Sequence, residues 1–238
     1  KTTARQLRLA VRSAERLLRP DYAEAWCNMG LVLRNQGRFA ESLASLRRGH
    51  ELGSMDPGWS NPSADWVRQA EELVRLDALL QPVLNGTAAP ADPTARLRLA
   101  DFCQRYKRLN AASARFYSDA FAAEPRLAED LPSGARYNGA CAAALAGCGQ
   151  GEDANDLDAK ARAGWRKQAL SWLRADLEAW TKRLDGGKPD DQTGTVATLR
   201  HWQTDADLSG VRDAAELAKL PADEQEACKK LWLSLIHI

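Results

Sequence analysis

The chain has 238 residues, with 33 basic side chains against 32 acidic ones and a net charge of +1. A balance so even lacks the one-sided basic surface that nucleic acid or an anionic membrane requires, so neither is expected as a partner. No apolar run reaches the roughly 18 residues that a membrane-crossing helix needs, no secretory leader is read, and the 5 cysteines, odd in number and without a Cys-x-x-Cys pair, read as reduced thiols of a cytoplasmic protein.

Helical periodicity runs through almost all of the chain, and no stretch alternates as a strand does. A first helix, about 3–19, aligns Leu7, Ala10, Ala14 and Leu17 and is closed by Pro20. A pair follows over 23–36 and 39–52. Trp26, Met29, Gly30 and Leu33 form one helical face, Gly37 breaks it, and Phe39, Leu43, Leu46 and Gly49 form the next. A loop rich in turn formers (Gly53, Asp56, Pro57, Gly58, Asn61, Pro62) leads to Ser63, expected as the N-cap of a helix over 64–80. That helix should bury Trp66, Ala70, Leu73 and Leu76 or Leu80, completing an N-terminal block over 1–81.

The segment 82–92, with Pro82, Gly86 and Pro90, reads as a linker. Asp92 followed by Pro93 is a helix start, and 93–106 carries Leu97, Ala100, Cys103 and Tyr106 or Phe102 on one side. Its partner over 109–123 carries Leu109, Ala112, Phe116 and Ala120 before Pro125, with a spacing one residue off that of the first pair. A small-residue helix over 135–146 ends the block 93–148. A hydrophilic loop insertion, 149–158, then precedes a long helix over 157–184 with Trp165, Ala169, Trp172 or Leu173, Leu177 and Trp180. Gly186–Gly187–Lys188–Pro189 stops it, and a shorter pair over 191–203 and 221–232 caps the C-terminal block 159–232. The opening at Lys1 reads as the edge of a fragment and 233–238 as a non-native tail.

Signals for chemistry are sparse. His50, His201 and His237 make no i,i+4 pair, none is read as neighbouring a carboxylate at metal-ligand spacing, and His50 is read as structural. Cys141 and Cys148, seven apart on one helix face, read as core. Gly147, Gly149 and Gly151 follow a helix and precede no Lys-Ser/Thr pair, so they read as a helix stop and flexible loop, not a phosphate cradle. The run from Asp153 to Asp158 fails as a calcium loop. Leu157 falls on a ligand position, Asp158 replaces the turn glycine, and Gly164 stands where the bidentate glutamate belongs. Neither catalytic residues nor a cofactor or metal set is assigned, and the chain is read as non-enzymatic.

With small residues at Gly30, Ser42 and Gly49 and bulk at Trp26 and Leu46, the pair over 23–56 resembles one tetratricopeptide repeat. The resemblance implies an all-α fold: an α-α superhelix of antiparallel helix pairs with divergent repeats. It also implies binding of a peptide or partner protein on the concave face that the first helices line. The family's groove positions fall on Glu24, Cys27, Leu31, Arg34 and Asn35, with equivalent surfaces expected on helices 93–106 and 135–146. Longer stretches, Pro20–Trp26, Leu46–Gly53, Arg136–Ala146 and Leu199–Gln203, resemble the C-terminal regions of planctomycete-type bacterial serine/threonine protein kinases. The alternative this implies is a regulatory or substrate-recruiting region whose catalytic domain lies upstream. No kinase motif is present in the chain, so no catalytic residue carries over.

Overall fold

The computed structural model describes residues 21–186 and 189–236. The helix expected over 3–19 with Leu7, Ala10, Ala14 and Leu17, together with Pro20 and His237, lies outside the described residues. All regular secondary structure among the described residues is helical, with no strand, and the chain divides into two units, Lys1–Ala89 and Pro90–Ile238.

In the first unit, α1 (Ala23–Asn35) and α2 (Phe39–Gly53) form a hairpin on which α3 (Ser63–Leu84) packs. Small residues decide how closely the hairpin closes. A Cβ placed on Gly30 would stand 2.5 Å from Leu46 Cγ, and one on Gly49 would stand 2.5 Å from Cys27 Sγ. Bare backbone at both crossings lets the Ser42 hydroxyl reach across and donate to the Gly30 carbonyl at 2.7 Å. Cys27, Leu46 and Ala70 form the buried core of this unit, with Trp59, Trp66 and Val67 partly buried against it.

Ser63, expected as an N-cap, is instead the buried first residue of α3, and Pro62 occupies the cap position. Its hydroxyl accepts from Trp59 Nε1 at 2.9 Å and lies 2.9 Å from His50 Nδ1. Two half-buried ring nitrogens need a polar partner more than a solvated helix end does, and the hydroxyl turns inward. The helix also runs on through Pro82 to Leu84, shortening the expected linker at its N-terminal side. Thr87 closes that end, donating from its backbone N–H and its hydroxyl to the Pro82 carbonyl at 2.9 and 3.0 Å.

In the second unit, α4 (Pro93–Phe102) passes through a π-helical turn (Cys103–Lys107) to α5 (Asn110–Ala123). A short α6 (Arg126–Glu129) and a 3-10 turn (Leu131–Ser133) lead to α7 (Ala135–Gly147) and the long α8 (Ala159–Asp185). Then follow α9 (Pro189–Thr204), a 3-10 turn (Ala206–Val211), a short α10 (Ala214–Leu217) and α11 (Ala222–Ile236). Helices α4 and α5 pair, α5 packs on α7, α7 pairs with α8, and both α9 and α11 lie against α8. Asp92 caps α4 as expected, accepting from Ala95 N at 2.6 Å, and Asp158 caps α8 in the same way. Phe102, Tyr117, Leu173, Trp202, Leu208 and Val211 are fully buried, whereas Trp165, Trp172 and Trp180 are half-buried. Leu233–Ile236, set apart above as part of a tail, continue α11, and Leu235 is buried.

Candidate functional site

The groove positions expected on α1 divide into two kinds. Glu24, Leu31 and Arg34 are half-buried and Asn35 is exposed. Leu31 packs against the core cluster. Cys27 corrects the expectation: only 2% exposed, it faces Gly49, and burial, aided by Glu24, pushes its thiol up to about 11. A first-helix residue opposite a glycine sinks into the hairpin because there is no side chain to hold it out. On α1 the polar reach therefore belongs to Glu24, Arg34 and Asn35.

The second unit repeats the hairpin's internal bond. Ser113 donates its hydroxyl to the Ala100 carbonyl at 2.8 Å, as Ser42 does to Gly30. Register then places Asp101, Gln104 and Arg105 after Ala100 where Leu31, Arg34 and Asn35 stand after Gly30. These three residues line a cavity of about 410 Å³ together with Arg108, Asn110 and Gln150. Asn138 and Leu145 reach it from α7, and Asp207 from the 3-10 turn. The serine-to-carbonyl separation is 12 residues in the first hairpin and 13 in the second. The π-helical turn absorbs that extra residue, a common device at functional positions. It ends at Arg108, whose φ of 55° and ψ of 30° put it in the left-handed region, alone among the described non-glycine residues.

The insertion over 149–158 was expected as a flexible loop, and its first half is pinned to this turn. Asn110 Nδ2 donates to the Gln150 carbonyl at 2.8 Å, and Glu152 N donates to the Arg108 carbonyl at 2.8 Å. The Asp153 carboxylate accepts from Ala111 N at 3.1 Å and Ala112 N at 2.7 Å, capping α5 from a distant part of the sequence. Gly151 makes the approach possible: its φ is +119°, and a Cβ there would stand 2.8 Å from the Arg108 carbonyl oxygen.

Charges around the cavity are mixed. Arg105 Nε pairs with Asp101 Oδ1 at 2.7 Å; burial nevertheless raises the Asp101 pKa, with Arg105 opposing. Asp207 accepts from Gln104 Nε2 at 3.1 Å, and its pKa is raised first by burial and then by Asp205. Both carboxylates thus sit where a donor or cation would be welcome. Burial pushes the Cys103 thiol up to about 12 and those of Cys148 and Cys228 to about 11, and Cys141 is raised well above the ordinary value. Such thiols stay protonated at neutral pH and make poor nucleophiles.

The surface expected on 135–146 is largely covered by the chain itself. Tyr137 donates to Asp205 Oδ2 at 2.6 Å and stacks on Trp202, while Leu208 and Val211 are completely buried. Of α7, Asn138 and Leu145 remain on the cavity. His201 stands four residues before Asp205, with Nε2 3.2 Å from Oδ2, a spacing overlooked among the histidines above. Among the described residues no group of three or more His, Cys, Asp or Glu is placed to hold a metal, and no helix is long and apolar enough to cross a membrane. Sequence reasoning named the two helices but missed Arg108, Asn110, Asn138 and Asp207; the one-residue offset was the signal that pointed to Arg108. Comparison with protein-family models, with curated proteins and with solved structures gives no match to this chain.

Proposed function

We propose that the chain is a non-catalytic tetratricopeptide-like binding module whose second unit holds an extended peptide segment of a partner protein along α4. The observation that carries this reading is the position of Asp101, Gln104 and Arg105. They occupy the register of the groove residues on α1, and they line one polar cavity. Its volume lies within the roughly 300–1,000 Å³ of ligand clefts, and amides beside opposed charges suit a peptide's backbone and polar side chains. The kinase resemblance supports a second form of the same reading, because its stretch Arg136–Ala146 contains the cavity residues Asn138 and Leu145. In that form the cavity recruits substrates for an upstream catalytic domain.

Peptides selected from a random display library against the immobilised chain provide the test. Binding of the selected peptides should weaken at least about tenfold, or about 1.4 kcal/mol, in the Asp101→Ala/Arg105→Ala variant, with its helical circular dichroism unchanged. Selected peptides that bind this variant as they bind the parent would refute the assignment.

A further inference from the structure

A second surface lies along α8, away from the residues of the α4 cavity. Between α8 and α11 runs a groove of about 650 Å³, lined by Lys160, Gly164, Lys167, Leu170 and Arg174 of α8 and by Ala227 of α11. Lys160, Lys167 and Arg174 recur every seven residues, which sets them about 10.5 Å apart along one helix edge. Asp223 and Glu224 give the groove an acidic side, which leaves its three cations in excess. Glu224 is engaged by Arg166 through two bonds of 2.6 and 2.9 Å, and among the described residues neither Lys160 nor Lys167 meets a carboxylate. Arg174 donates to the Ala227 carbonyl at 2.9 Å, which ties the basic edge to the far wall.

Gly164 gives an independent indication. It lies inside the 27-residue helix α8, is exposed, has no positive φ, and a Cβ built on it would meet nothing within 4 Å. Glycine at such a place weakens a helix by about 1 kcal/mol relative to alanine. Nothing among the described residues requires it. A backbone approaching from outside would, because a bare glycine is what allows two helices to come close.

We infer that this groove docks an amphipathic helix of a partner protein. The helix lays small and medium apolar residues over Gly164 and Leu170, and acidic residues at seven-residue spacing over Lys160, Lys167 and Arg174. Charge complementarity selects this occupant, since a basic or neutral helix leaves the lysine edge unpaired.

The probe is a labelled helical peptide of alanine and leucine with glutamates seven residues apart, titrated by fluorescence anisotropy beside the same peptide carrying lysines. The glutamate peptide should bind and the lysine peptide should not. Lys167→Glu should weaken binding about tenfold. Gly164→Leu should abolish binding while leaving the melting temperature equal or higher, because its side chain enters open space. Equal binding of the two peptides, binding of neither, or indifference to Gly164→Leu would overturn the inference. Self-association in sedimentation that Gly164→Leu removes would also overturn it, by giving the groove to a second copy.

Discussion

Arg108 holds a left-handed backbone that costs an L residue about 1–2 kcal/mol, and glycine is the usual occupant of such a helix end. Its side chain is exposed and lines the α4 cavity, so the residue keeps a guanidinium where the backbone would favour none. Arg108→Gly should therefore raise the unfolding free energy in urea by up to about 1 kcal/mol while weakening peptide binding. A loss of stability would mean that the arginine is held by packing instead. At this scale the sequence was readable where bonds are local. Asp92 before Pro93 announces a cap whose partner, Ala95 N, lies three residues on. Ser63 misled because its partners include His50, 13 residues away. Cys27 misled because the face it turns is set by a glycine on the opposite helix.

Among the elements, the joint between α4 and α5 shows how a misfit in spacing becomes structure. The one-residue offset was visible in the sequence, but its form was not, since a π-helical turn and a strand of loop crossing it depend on bonds between distant segments. The strap places Asp153 as the cap of α5, a role that a hydrophilic insertion does not advertise. Asp153→Ala should lower stability by about 1–2 kcal/mol and speed hydrogen exchange at Ala111 and Ala112 before other amides of α5. Unchanged exchange at those two amides would show that the strap does not cap the helix. The pairs α1–α2, α4–α5 and α7–α8 were legible, because small residues at three- and four-residue spacing mark a close crossing, whereas the pair expected over 191–203 and 221–232 is replaced by two helices, α9 and α11, that each lie against α8.

For the whole molecule, composition and periodicity were enough to fix the all-helical class. What was hidden is the covering of α7 by residues 205–211. The contact that brings Asp207 to Gln104 spans 103 residues, and no local pattern reports a pairing at that distance. With α7 so covered, Asn138 and Leu145 still line the α4 cavity, and the central claim of the proposed function is that a peptide binds there. The most direct measurement follows backbone amide shifts of the isotope-labelled chain while a library-selected peptide is added. The account predicts that shifts concentrate at Asp101–Arg108, Asn138, Leu145 and Asp207. Shifts that leave these residues untouched and gather elsewhere would contradict it.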